Sequence, residues 1–151
     1  MAFDSAALTA DLTTVFQTNY DSETASAAAI ASAISKYFLT VATPAPGSAS
    51  AADMTSEATT ALAGMSETDP DTGAGLFAEK LSAAVMAAAN VISTEGVANS
   101  PVTLSAPVYT FSNDDSAAAA AAKITAATDL ATATWTQIIP PATATVPWAG
   151  A

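Results

Sequence analysis

The chain predicts a mainly α fold, about five helices in a compact bundle, with a minor extended or β element near 101–111 and 132–139 and a proline-rich C-terminal arm. Three observations carry that expectation. Apolar residues recur at helical spacing through successive stretches. Alanine, which has the highest helix propensity, supplies 41 of the 151 residues. The prolines fall at breaks in the pattern, around 44–46, 70, 101–107 and 140–147.

The first helix is expected over about 5–18. Asp4 is placed to cap it, Phe3 and Leu8 to staple its start, and Leu8, Leu12, Phe16 and Tyr20 share one face. Asp21 or Ser22 can cap a second helix carrying the stripe Ile30, Ile34, Phe38 and Val41, stopped by "TPAPG" at 43–47. A third places Met54, Ala58, Ala61, Leu62 and Met65 on one side and ends in the turn-rich "SETDPDTGAG". A fourth aligns Phe77, Leu81, Val85, Ala88 and Ile92 and stops at "STEG".

From Pro101 the register changes. "PVTLSAPVYTF" is β-branched and aromatic, with Val102, Leu104 and Ala106 alternating against Thr103 and Ser105. Pro107 demotes it to an edge strand or extended arm. The near-poly-alanine helix follows, capped by Asp114, Asp115 or Ser116 and running to about Ala131 along Ile124, Ala127, Ala131 and Trp135. Its small side chains permit close approach to a partner, for which another subunit is expected. "TATWTQII" reads as extended, and Pro140, Pro141 and Pro147 are expected to forbid further regular structure. The domain reading is one helical domain over 1–131 and an arm over 132–151. Single lysines at Lys36, Lys80 and Lys123, spaced 44 and 43 residues apart, hint at a repeated helical unit.

Composition excludes more than it assigns. Fourteen acids stand against three lysines, with no arginine or histidine, for a net charge of -11. Phosphate neutralisation needs clustered cations, so direct nucleic-acid binding is not expected. An anionic membrane surface is disfavoured for the same reason. The absence of cysteine and histidine removes disulfides, thiol nucleophiles, zinc–thiolate sites and the commonest general base. No cofactor is expected. The first basic residue is Lys36, so no secretory leader is read, and the apolar run 81–92 falls short of the ~20 residues a spanning helix needs.

Candidate chemistry is sparse. Glu67, Asp69 and Asp71 ahead of Gly73 could offer oxygens to Ca²⁺, but without the twelve-residue loop of an EF-hand they read better as a solvated turn with Asp71 capping the next helix. Ser32 and Lys36 lie at i, i+4, yet nothing marks an oxyanion site, and no carboxylate pair stands out among the acids. No catalytic or metal-binding residue is therefore assigned. The residues with the best claim to function are interface candidates, Tyr109, Phe111, Trp135, Ile138, Ile139 and Trp148. A tryptophan in a terminal arm either tucks into its own domain or anchors in a neighbour.

The "AAAIASAIS" helix at 27–35, the "SAAAAAAKITAATDL" helix at 116–130 and the "TWTQIIPP" exit at 134–141 resemble, in style, small structural proteins of tailed bacteriophages. That resemblance implies a non-enzymatic virion subunit at the neck, tail or capsid, made in the host cytoplasm. It would bind other virion proteins and copies of itself, with no small-molecule substrate. A helical adaptor or regulatory protein is the alternative, and a carboxylate-based hydrolase stands behind both.

Overall fold

The computed structural model describes residues 3–39, 50–66, 69–95, 101–138, 141 and 143–148, and gives only the backbone for 70, 71, 94, 95 and 101–103. Among these the chain is mainly α. Five helices, α1 (Ser5–Gln17), α2 (Glu23–Leu39), α3 (Ala51–Leu62), α4 (Pro70–Glu95) and α5 (Ala117–Thr132), pack with three short strands, β1 (Pro101–Thr103), β2 (Thr136–Ile138) and β3 (Thr145–Pro147).

Local chemistry sets most helix starts. Asp4 accepts from Ala7 N–H at 2.9 Å, Ser22 from Ala25, Ser50 from Asp53 and Ser116 from Ala119, each satisfying an amide that the first turn leaves without a partner. Ser22 and Ser116 thus resolve the open choices of cap. Just past the end of α3 stands Gly64, whose φ of +78° is the left-handed conformation that glycine adopts without a Cβ penalty.

α2 lies at the centre, touching α1, α3 and α4, while α4 lies along α3 and α5 along α1. The expected stripe of Ile30, Ile34 and Phe38 is buried, as are Leu8 and Leu12 of α1, Met54, Ala58 and Leu62 of α3, and Leu81, Val85, Ala88 and Ile92 of α4. Val41 and the "TPAPG" stop lie outside the described residues. Phe3 stacks on Tyr37 of α2, with ring centroids 4.7 Å apart.

Four expectations need correction. α4 starts at Pro70, well before Phe77, so Asp71 lies inside the helix rather than capping it; Gly73 N–H donates to the Asp69 carbonyl at 2.7 Å. Proline suits a first helical position, where its missing N–H would have no partner anyway. The longer α4 is apolar enough over Thr72–Ser93 to cross a membrane by length and composition alone. It is nonetheless the helix whose Leu81, Ala84, Val85, Ala88, Ala89 and Ile92 enter the core.

Second, only Pro101–Thr103 of the extended segment pairs as a strand. Beyond it the inward phase slips: Leu104 is half-buried, Ala106 faces out, and Pro107 and Tyr109 face in. Ser82 of α4 ties the slipped segment down by donating to the Pro107 carbonyl at 2.8 Å.

Third, the tail is not free of regular structure. The sheet order is β1-β2-β3, all antiparallel, with Thr136 opposite Pro147 and Gln137 opposite Val146. Trp148 N–H donates to the Trp135 carbonyl at 2.8 Å. In an antiparallel ladder, inward amides alternate, so Val146 and Trp148 face β2 and the Pro147 nitrogen faces outward. The missing donor therefore removes no ladder bond, and it blunts the outer edge against another strand.

Fourth, the three lysine-bearing helices are not equivalent units. They run 17, 26 and 16 residues, and the lysine stands in the last turn of α2 but in the interiors of α4 and α5.

Candidate functional site

The bundle has two differently finished ends. At one, the start of α1, the end of α2 and the end of α5 meet the small sheet. Trp135 is 1% exposed and packs edge-on against Phe38 at 5.7 Å. Trp148 covers Trp135 at 4.8 Å and reaches Phe3 at 5.8 Å. The tail thus closes this end with the chain's own aromatics.

Among the described residues the opposite end is open. A groove of about 530 Å³ runs between Phe16 of α1, Met65 and Ser66 after α3, Gly73, Ala74 and Phe77 of α4, and the 111–120 segment that enters α5. It continues into a second hollow of about 340 Å³ that shares Phe16, Met65, Ser66 and Phe77 and adds Tyr20 and Ile30. Phe77 stands between Phe16 and Phe111, with centroids 6.2 and 5.3 Å away. All three rings are half-buried, packed beneath and exposed above.

Two carboxylates shape the rim. Glu23, in the first turn of α2, accepts from Gly64 N–H at 2.7 Å and Ser66 N–H at 3.2 Å, pinning the turn that presents Met65. The Gly64 amide is the foremost reason its carboxyl is held below the usual range, with Ser66 adding to it. Asp115 accepts both contacts of Lys123 Nζ at 2.8 Å and the Ser112 N–H at 2.8 Å. Lys123 foremost, then the Ser112 amide, lowers its carboxyl as well.

A carboxyl whose folded pKa is depressed adds stability above its unfolded pKa and loses it as pH falls through the folded value. Both groups are half-buried and still in contact with water, so solvent screens part of the contribution. Between about pH 5 and pH 3, unfolding midpoints should therefore decline, and less steeply in Glu23→Gln and Asp115→Asn than in the parent. Equal slopes in urea titrations across that window would contradict these two anchors.

A polar clasp joins the helices away from the groove. Asp129 of α5 accepts from the Ser5 hydroxyl of α1 and the Tyr37 phenol of α2, both at 2.6 Å. One turn further along the antiparallel α1–α5 pair, Thr9 donates to Thr125 at 2.8 Å. Tyr109 and Thr128 hydroxyls meet at 2.7 Å. Burial first, then the hydrogen bond to Asp129, raises the Tyr37 phenol above its ordinary range; burial raises Tyr109 against a smaller opposing effect of Thr128. Both phenols stay protonated as donors. The clasp is a means of fixing three helices.

The interface candidates separate clearly. Tyr109 and Trp135 are buried in the chain's own core, Trp148 is half-buried over Trp135, and Ile138 is half-buried in β2. Trp135 and Tyr109 are therefore core residues and not surface anchors. Phe111 alone joins the open groove. Ile139 lies outside the described residues. So does Glu67, along with the Asp71 side chain, and no cluster of three potential metal ligands forms among the described residues. Ser32 is exposed beside Lys36, whose Nζ pairs with Asp11 at 2.7 Å.

Phe16, Met65 and Phe77 were legible in the sequence only as apolar face positions. What marks them as groove residues is their tertiary placement, with Phe16 at the end of α1, Met65 just past α3 and Phe77 two turns inside α4. The alanine run lies against α1 of the same chain, with Ala121, Ile124 and Thr125 buried. The small side chains serve an internal approach of two helices. The chain matches no protein-family model, no curated protein and no solved structure.

Proposed function

We propose that this chain is a non-enzymatic structural subunit of a phage virion, at the neck, tail or capsid, acting through protein–protein contacts in a multi-copy assembly. The observation that supports this reading best is the open aromatic groove. Phe16, Met65, Ala74, Phe77 and Phe111 supply its apolar walls, and Ser66, Ser112, Asp115 and Ser116 around it are engaged in caps and turns. Such a surface suits docking of another protein, for which half-buried aromatic rings supply the contact area. The strong negative charge favours solubility and a basic partner surface over packaged nucleic acid.

A helical adaptor would use the same groove. The two readings part on stoichiometry, since a structural subunit is present in fixed, symmetric copy number. Quantitative mass spectrometry of purified virions is expected to find the chain at a constant integral ratio to the major capsid protein. Absence from virions, with the chain recovered only in the soluble lysate, would remove the virion reading.

A further inference from the structure

Resting on the docking role proposed above, we infer that the groove at the open end receives a lysine- or arginine-bearing apolar segment of a different protein. Three features of the site select that chemistry. Its floor is Phe16, Met65, Phe77 and Phe111, which calls for apolar or aromatic side chains. Its one charged lining residue, Asp115, is paired with Lys123, while exposed Asp114 beside it and exposed Asp69 ahead of Gly73 leave the rim with more acids than lysines among the described residues. The whole chain carries -11, so a second copy would bring like charge to the same rim, whereas a basic segment meets opposite charge.

The bundle's other end shows what this kind of surface accepts. There, Phe3 and Phe38 are met by two tryptophans carried on an extended segment. At the open end Phe16, Phe77 and Phe111 form a comparable ring set, half-buried and without such a cover among the described residues. The groove and its continuation, about 530 and 340 Å³, have room for several side chains. An amphipathic segment with apolar anchors on one face and cations on its flanks matches both floor and rim.

The test uses the full chain and a fluorescent synthetic peptide of roughly 18 residues, with leucine and tryptophan at i, i+4 and lysine elsewhere. A counterpart carries glutamate at every lysine. The lysine peptide should bind, lose affinity with added salt, and shift the amide resonances of Met65, Ala74, Phe77 and Phe111. Ala74→Trp, which fills the groove, should weaken binding about tenfold or more, and Asp114→Lys several-fold. Resonance mapping on the parent chain locates the bound peptide even if Ala74→Trp fails to fold.

Equal binding of the glutamate peptide, or shifts confined to other surfaces, would overturn the assignment. So would self-association abolished by Ala74→Trp, which would give the groove to a second copy. Peptide binding by a chain absent from virions would remove the structural-subunit reading and leave the groove assignment standing. A virion chain whose groove ignores the lysine peptide would do the reverse.

Discussion

Trp135→Ala is expected to destabilise the fold by about 3–5 kcal/mol, the range for removing a fully buried aromatic side chain. For a domain of this size that corresponds to a fall in thermal midpoint of roughly 6–20 °C. Trp135 is 1% exposed, packs on Phe38 and lies under Trp148. Trp135→Phe should cost far less. The indole Nε1 is a buried donor with no acceptor among the described residues, so replacing it removes an unsatisfied group along with the extra ring area. Deleting residues 136–151 should lower the midpoint by a comparable amount, because it strips β2, β3 and Trp148 from the same aromatic cluster. This reverses what an independent arm would predict, namely intact helical circular dichroism and an unchanged midpoint after deletion. A deletion variant with the parent's midpoint would show that the tail adds nothing to the core.

The second large effect is expected at Asp129. Asp129→Ala removes the 2.6 Å acceptor of the Tyr37 phenol, leaving its longer 3.2 Å contact with Thr132, and the acceptor of the half-buried Ser5 hydroxyl. Hydrogen bonds to a carboxylate are worth about 1.5–3 kcal/mol each, so a loss of roughly 2–4 kcal/mol is expected. Tyr37→Phe removes one of the two bonds in advance. In that background Asp129→Ala should cost clearly less than in the parent, and a double-mutant cycle measures the difference. Strict additivity would mean that the 2.6 Å Tyr37–Asp129 contact carries no coupling.

Legibility followed sequence distance. The stripes of α1, α2 and α3 could be read because their periodicity is local, helped in α1 by Asp4 and in α2 by the choice between Asp21 and Ser22 as caps. The early start of α4 could not, since "DTGAG" has the composition of a turn and is carried into helix by the packing of the turns that follow. β3 was hidden because Pro147 forbids a strand only when its nitrogen faces a partner, and that depends on register with β2. The Asp129 clasp joins residues 124 and 92 positions apart. No local pattern signals such a contact.

The two ends of the bundle show the same limit in the functional reading. Aromatic residues near Pro101 and Pro140 stood out as anchors because they interrupt an alanine-rich background. Yet Tyr109 and Trp135 are buried in the core, and only Phe111 reaches the open groove. Phe16 and Phe77 looked like ordinary core positions on regular helices. Phe16 lies one residue from the end of α1 and Phe77 two turns inside α4, and their rings stay half-buried because no further helix crosses that rim among the described residues.

If the open end is the surface through which this chain meets its partner, its rings and its methionine must lose contact with solvent on assembly. Hydroxyl-radical footprinting of the free chain and of the chain within purified virions reads that loss, because Met65, Phe77 and Phe111 are all oxidisable and all line the groove. Strong protection of these three on assembly is expected, with Leu130 on the outer face of α5, 74% exposed, as the comparison site. Protection at Leu130 and Val108 with Met65, Phe77 and Phe111 still fully reactive would contradict the docking role of the groove.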